Sequence, residues 1–222
     1  MQIVSIVTKE QQGFPLFIRL NPGVTLAQFF AAFQSSAGDP NGASGVGSLV
    51  VDAQANKGFS NVEANLAPGR YVALDTAGQN PAKWPFTTFA ISPAAAPAAL
   101  PAPSATITAI DFGFRGPGTL HDGQLVRFAN HGWLVHMIVA ARGSSLAVAN
   151  KIAGLLLAGK DNQAQSTADG FYSFAGPLSH GASQQLTLNV QPGYWVIACF
   201  MNTQDGREHT QLGMERVIHI TG

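Results

Sequence analysis

The sequence predicts an all-β chain built from two tandem Greek-key β-sandwiches, each with one inserted helix. Three observations lead to this prediction. A Pro- and Ala-rich segment divides the chain, a similar strand–turn–strand pattern occurs near the end of each half, and each half contains one helical pattern. Short strands bounded by turn residues are typical of all-β sandwiches.

The boundary lies at residues 92–104, which contain four prolines and no charged residue. Proline lacks a backbone donor and favours extended geometry in the residue before it. This composition predicts a semi-rigid linker. It separates a predicted first domain, residues 1–91, from a second, residues 105–222.

The repeated pattern spans residues 62–75 and 186–199. In both, an alternating apolar run is followed by Pro-Gly and another apolar run, which predicts a strand, a tight turn and a strand. Each half then closes with a β-rich run, at 86–91 and 215–220. Two further strands, 105–114 and 124–130, are predicted at the front of the second half.

Each half also carries one predicted helix. Thr25 can cap a helix over 26–34, and Ser144 or Ser145 can cap one over 146–158 with Gly159 as its stop. Ser and Thr side chains accept hydrogen bonds from the free N–H groups of a first helical turn, and glycine favours the end of a helix.

Composition excludes several classes of function. Twelve basic and twelve acidic residues give zero net charge, so the chain lacks the positive field that binds nucleic acids. No apolar run reaches the roughly 18 residues of a membrane span. Paired carboxylates, a Gly-x-Ser-x-Gly elbow, a phosphate loop and a His-Glu-x-x-His helix are absent from the sequence, and we therefore expect no enzymatic activity.

The N-terminal residues do not resemble a secretion signal. Low charge with abundant Ala, Gly, Pro, Ser and Thr suits an exported protein whose leader has been removed. We expect an extracytoplasmic location, either periplasmic, cell-surface or secreted.

All six histidines and the single cysteine, Cys199, lie in the second half. The strand period of two places Trp195, Ile197 and Cys199 on one face of their strand. His136 begins a strand after a loop that starts at Asn130. Downstream of the cysteine, an imidazole and a thioether follow in order. One cysteine forms no intramolecular disulfide, so Cys199 is a metal ligand or a buried core residue.

These motifs resemble those of the cupredoxins, the blue-copper family. The matching segments are Asn130 to His136, Gly193 to Cys199, and His209 to Met214. The resemblance covers about residues 105–221, and the first half resembles the same fold without the motifs. It implies a copper site with His136, Cys199 and His209 as in-plane ligands and Met214 as the weak axial ligand.

The resemblance also implies electron transfer or copper handling, with electrons passing through the edge at His209. A redox protein partner would dock on a patch of Phe200, Met201 and Leu212, and Asn130 or a backbone group would fix the His136 side by a hydrogen bond. In the same alignment four non-ligand residues replace the ligands of the first half. They are Leu16, Asp75, Asn80 and Pro85, in place of His136, Cys199, His209 and Met214.

Nine residues separate Cys199 from His209, whereas two to four are usual in the family. The insert contains Asp205-Gly206, a strong hairpin signal. A regular hairpin turning on these two residues would put His209 about 10 Å along the ribbon from Cys199, too far for a shared metal ion. Copper binding therefore requires the insert to fold back. The alternative is a metal-free sandwich that serves as a structural, surface-assembly or partner-binding module.

Overall fold

The computed structural model of the chain describes residues 1–6, 12–36, 39–56, 59–78, 80–93 and 99–222. The first half contains eight strands and one α-helix among these residues. They are β1 (Gln2–Ile6), β2 (Gln12–Gly13), β3 (Pro15–Leu20), α1 (Leu26–Ser35), β4 (Gly47–Asp52), β5 (Ala55–Asn56), β6 (Phe59–Ala64), β7 (Gly69–Asp75) and β8 (Phe86–Ile91).

The second half contains nine further strands and two α-helices in the described part of the chain. They are β9 (Ala105–Ile110), β10 (Gly113–Arg115), β11 (Thr119–His121), β12 (Leu125–Asn130), β13 (His136–Gly143), α2 (Leu146–Leu157), α3 (Asp161–Thr167), β14 (Gly170–Leu178), β15 (Ser183–Thr187), β16 (Gly193–Ala198) and β17 (Glu215–Thr221).

The second half is a two-sheet sandwich. One sheet has the order β11-β17-β16-β13-β14, and strands β15-β12-β9-β10 belong to the other. Neighbouring strands are mostly not consecutive in the chain, which is the crossover pattern of a Greek key. Trp195, Ile197 and Cys199 face the main core, while Val196 and Ala198 pack on the other face of β16 in the apolar cluster of α2.

The first half has a four-stranded sheet, β4-β3-β7-β8, and the pair β1-β6. That pair continues the sheet of the second half, because Ala64 and Glu63 of β6 lie opposite Gln184 and Gln185 of β15. Buried apolar residues of both halves form one cluster. The predicted boundaries 1–91 and 105–222 stay a prediction, and strand pairing links the two segments that they define.

The two halves share a side-chain to backbone hydrogen bond at the start of β7 and of β16. The Tyr71 hydroxyl donates to the carbonyl of Ala67 (2.5 Å), and the Trp195 indole N–H donates to the carbonyl of Gln191 (3.0 Å). Both aromatic residues stand two positions after the glycine of their Pro-Gly turn. Each side chain therefore ties its strand to the chain just before the turn.

The structure confirms the predicted fold class and both helices. Thr25 forms a capping box with Gln28, and Ser145 is the cap of α2. The short helix α3 was not predicted from the sequence. The strands flanking each Pro-Gly turn lie in different sheets, so each turn is a crossover between sheets.

Two details differ from, or go beyond, the sequence prediction. The predicted strand 105–114 is a hairpin that turns at Asp111 and Phe112, because Gly113 pairs with Ile110. Of the predicted linker, residues 94–98 lie outside the described residues, and 99–103 form neither helix nor strand.

Among the described residues, no helix is both long and apolar enough to cross a membrane.

Candidate metal centre

Three of the predicted ligands meet at one end of the second sandwich. His136 is the first residue of β13, Cys199 directly follows β16, and His209 begins a 3-10 turn before β17. The strands β13 and β16 are antiparallel neighbours, so the start of one lies beside the end of the other. Sheet pairing thus brings together residues that are 63 positions apart in the chain.

The facing atoms of these residues form a compact triangle. His136 Nδ1 is 3.1 Å from His209 Nδ1, and Cys199 Sγ is 3.4 Å from His209 Nδ1 and 3.7 Å from His136 Nδ1. All three side chains are buried. Three ligand atoms bonded to one ion at about 2.0–2.3 Å in a trigonal plane lie about 3.5 Å apart, so the spacing fits a single metal ion.

The insert between Cys199 and His209 does form a hairpin, with a register different from the one expected. Thr203 and Arg207 flank a three-residue loop, in which the Thr203 N–H donates to the Arg207 carbonyl. Gly206, at φ +83°, occupies the left-handed position of such a loop. As a result His209 pairs with Met201, its N–H donating to the Met201 carbonyl over 2.8 Å.

The pairing is then interrupted by the 3-10 turn at His209–Leu212. Cys199 pairs next with Met214, since the Cys199 N–H donates to the Met214 carbonyl (3.2 Å). A regular ribbon would hold His209 at a distance. The interruption lets its side chain turn back onto the thiol instead, and the insert does not separate the two residues.

Met214 is fully buried in the same core as Cys199. Its N–H donates to the His209 carbonyl over 3.0 Å. The backbone of Met214 is therefore hydrogen-bonded to the backbones of both Cys199 and His209. Met214 stays the predicted axial ligand.

The loop before His136 is held by Asn130, which is buried. The Asn130 amide donates to the carbonyls of Leu134 and Leu178, each over 2.8 Å, and its oxygen accepts from the Gly132 N–H. These bonds fix the loop that delivers His136, as expected for an asparagine at this position.

The structure adds Asp111, which the sequence analysis missed. Its Oδ1 is 3.0 Å from His136 Nε2. Its carboxylate also accepts from the N–H groups of Trp133 (3.1 Å) and Leu134 (3.2 Å). The available signal was Asp111-Phe-Gly inside an apolar run, a composition typical of a turn. We predicted a continuous strand there, which would have kept the carboxylate away from the histidine.

Gly132 allows this contact. A Cβ atom at Gly132 would lie 2.5 Å from Asp111 Oδ1 and 2.6 Å from His136 Nε2. Any side chain would therefore enter the space of the hydrogen bond. The loop, the carboxylate and the imidazole are packed as one unit.

Burial dominates the electrostatics of the three facing groups. It raises the pKa of the Cys199 thiol to about 12, and burial together with the neighbouring His136 lowers the pKa of His209 to about 4. Burial also lowers the pKa of His136, which Asp111 partly offsets. Without a bound cation the pocket therefore holds a neutral thiol and neutral imidazoles at pH 7.

One buried polar atom of the three facing side chains lacks a partner among the described residues. His209 Nε2 has no hydrogen-bond partner among the described residues, and the ring of Phe112 packs edge-on against the imidazole at 5.4 Å. Unpaired buried polar atoms are uncommon and need a cause. Here both histidines point Nδ1 inward toward Cys199. That orientation suits an ion held among the three atoms.

The side chains that the sequence predicts to form a docking patch are not the exposed apolar side chains of the structure. Met201 is buried, and Phe200 and Leu212 are partly buried. The exposed large apolar residues beside the triangle are instead Phe112 (38%), Trp133 (81%) and Leu134 (36%).

The first half lacks this triangle, and strand pairing corrects the alignment of its residues. Arg19 pairs with Tyr71 as Arg142 pairs with Trp195. Leu16 therefore corresponds to Val139, three residues beyond His136, and the position that matches His136 is Gly13. Asp75 does correspond to Cys199, since each lies six residues after its turn glycine.

Comparison with known proteins gave solved structures only. No protein-family model matches the chain, and no curated protein matches it. Auracyanin A, a "blue" copper protein from the green thermophilic photosynthetic bacterium Chloroflexus aurantiacus, is 19% identical; the match covers 52% of this chain and 95% of that one, with a TM-score of 0.30.

Two other similar structures match nearly the whole chain. A Cu-containing nitrite reductase from Thermus scotoductus SA-01 is 13% identical, with coverage of 99% of this chain and 56% of that one and a TM-score of 0.31. A multi-copper oxidase from Pseudomonas thermotolerans is 10% identical, with coverage of 99% and 52% and a TM-score of 0.25.

The chain has a cupredoxin-like fold. The Greek-key strand order and the triangle of His136, Cys199 and His209 are the features that support this assignment. Auracyanin A is described as a "blue" copper protein, and the other two structures are described as a Cu-containing nitrite reductase and a multi-copper oxidase. They also correct one expectation. We expected no enzymatic activity, and this is wrong as a conclusion, because two of the similar structures are copper enzymes.

Proposed function

We propose that the second half binds one copper ion through His136, Cys199 and His209, with Met214 as axial ligand, and that the protein transfers single electrons. The observation that carries the proposal is the buried triangle of two imidazole nitrogens and one sulfur with sides of 3.1, 3.4 and 3.7 Å.

The donor set favours copper over other metals. Thiolate and thioether sulfur are soft ligands, and imidazole suits both oxidation states of copper. Two histidines, one cysteine and a weak methionine form the ligand set of blue-copper electron-transfer sites. Copper in such a site supplies one-electron oxidation and reduction.

The residues of the chain have separate roles in this proposal. Cys199 provides the thiolate, and the Met137 N–H, 3.4 Å from its sulfur, stabilises negative charge there. Asn130 holds the loop that carries His136 in place. The packed core around the three ligands excludes water and resists changes of ligand position, which keeps reorganisation during electron transfer small.

We further propose that a redox partner docks on the exposed apolar side chains beside the site, Phe112, Trp133 and Leu134. Phe112 contacts His209 through its ring, so an electron donor or acceptor placed there would be one side chain away from a ligand. The composition, poor in charge and rich in small residues, supports an extracytoplasmic location, which cell fractionation would test.

The direct experiment is titration of the purified protein with Cu(II). We expect one copper per chain by metal analysis and an intense visible band from the copper–thiolate bond. Cys199→Ser should abolish the band and leave the far-UV circular dichroism unchanged. Absence of the band in the parent protein would exclude the blue-copper proposal and favour the metal-free module.

Two buried thioethers provide a matched control for the axial ligand. Met201 and Met214 are both buried in the core that contains Cys199, and only Met214 is a proposed ligand. Met214→Leu should shift the reduction potential and the visible spectrum, whereas Met201→Leu should leave both close to those of the parent. Equal effects of the two substitutions would contradict the axial assignment.

A further inference from the structure

The side chain of Asp111 has no role in the ligand triangle, yet four contacts define its position. Its carboxylate accepts hydrogen bonds from the N–H groups of Trp133 and Leu134 and lies 3.0 Å from His136 Nε2. Gly132 packs against it. The side chain is one-third exposed, while that of His136 is fully buried.

The contact fixes where His136 carries its proton. Two backbone N–H groups and the His136 ring nitrogen face the Asp111 carboxylate, whose contact with solvent keeps it ionised at neutral pH. An ionised carboxylate accepts hydrogen bonds and donates none. His136 Nε2 must then carry the proton, which leaves a free lone pair on Nδ1, the atom that faces Cys199 and His209.

The second imidazole is arranged differently. With the His136 Nδ1 lone pair as acceptor, the 3.1 Å contact between the two rings requires the proton of His209 on its own Nδ1. His209 Nε2 then carries a lone pair, and none of the described residues donates a hydrogen bond to it. One histidine is prepared to bind a metal, and the other must move its proton to Nε2.

We propose that Asp111 is a positioning residue of the metal site: it fixes the tautomer and ring orientation of His136 and, through its negative charge, favours the more oxidised state of the bound ion. This rests on the proposed copper function. Carboxylates that bind the far nitrogen of a ligating histidine orient the ring and make it a stronger donor. A nearby negative charge stabilises Cu(II) more than Cu(I).

The test compares Asp111→Asn with Asp169→Asn. Asp169 is a partly exposed carboxylate of the same half, paired with Arg142 Nε at 2.7 Å, and Arg142 stands six residues, or about 20 Å, along β13 from His136. Each substitution removes one negative charge. Only the first removes it from the histidine.

For Asp111→Asn we expect a loss of Cu(II) affinity of about 10- to 100-fold, a smaller loss for Cu(I), and a higher reduction potential. Each tenfold difference between the two losses corresponds to about 59 mV for one electron. Asp169→Asn should match the parent in all three. A potential for Asp111→Asn equal to that of Asp169→Asn would overturn the charge effect.

A second measurement uses the metal-free protein. Long-range ¹H–¹⁵N NMR spectra of the histidine rings should show the His136 proton on Nε2 in the parent and in Asp169→Asn, and a mixture of tautomers in Asp111→Asn. A proton on His136 Nδ1 in the parent would overturn the positioning role. This result decides the role of Asp111 even if copper titration excludes the proposed function.

Discussion

The two halves of the chain close equivalent strand ends with different chemistry. At the end of β7, Asp75 accepts hydrogen bonds through Oδ1 from the backbone N–H groups of Phe14 (3.1 Å) and Ala77 (3.2 Å). After β16, the equivalent residue is Cys199, whose sulfur faces two imidazoles. A carboxylate occupied by backbone donors stabilises a turn, whereas a sulfur with one weak donor leaves room for an ion.

The same strands share their framework. Tyr71 and Trp195 make corresponding side-chain bonds to the backbone before each Pro-Gly turn. The difference between the halves therefore lies at the strand ends and not in the middle of the strands. A conserved framework and a variable end are how one fold carries several functions.

The largest expected effect is on copper binding, and it should occur in the second half alone. His209→Ala should lower Cu(II) affinity by more than about 100-fold, because it removes a ligand from the triangle. Asn80→Ala, at the residue aligned with His209 in the first half, should leave copper binding unchanged. It should cost about 1 kcal/mol of stability, because Asn80 caps a 3-10 turn through the Ala82 N–H.

Isothermal titration with Cu(II) and urea unfolding of the apoproteins measure the two effects. A loss of copper binding in Asn80→Ala would show that the first half contributes to the metal site.

The second prediction concerns the buried carboxylate at the junction of the halves. Asp52 is buried, its backbone N–H and C=O are both bonded to the Gln184 amide, and its Oδ1 has no partner among the described residues. Burial raises the pKa of Asp52 from 3.8 to about 7, which the Gln54 N–H partly offsets. The folded protein therefore retains a proton that the unfolded chain releases.

Stability should fall as the pH rises from about 4 to 7, because the unfolded state binds fewer protons over this range. Asp52→Asn removes the ionisation. At pH 8 the variant should be more stable than the parent by about 2–4 kcal/mol, and at pH 4 the two should be equal. Urea unfolding at both pH values measures the difference. A constant difference at the two values would contradict the protonated carboxylate.

The smallest expected effect is the loss of stability when the N-cap side chain of α1 or of α2 is removed. Thr25 accepts from the Gln28 N–H, and its own N–H donates to the Gln28 side chain, whereas Ser145 makes one bond, to the Val148 N–H. Thr25→Ala should cost about 1 kcal/mol and Ser145→Ala about 0.5 kcal/mol. Thermal and urea unfolding of both variants give the values, and a larger cost at Ser145 would reverse the expected order.

The candidate site was partly predictable. Strand period, the loop after Asn130 and the order of Cys199, His209 and Met214 come from local patterns, so the residues could be named before their geometry was known. Asp111 could not be found in this way. Its position depends on a two-residue turn, with Phe112 at φ +60°, that interrupts an apolar run otherwise typical of one strand.

The sequence by itself determined the fold class, both capped helices and the identity of the facing residues, because helix caps and strand alternation depend on neighbours within a few positions. Only the tertiary structure decided the rest. It set the one-residue shift at Gly206, the 3-10 interruption that turns His209 toward Cys199, and the sheet shared by β6 and β15. The shared sheet joins segments far apart in the chain, and the register of the insert depends on the turn that its hairpin adopts. Local composition specifies neither.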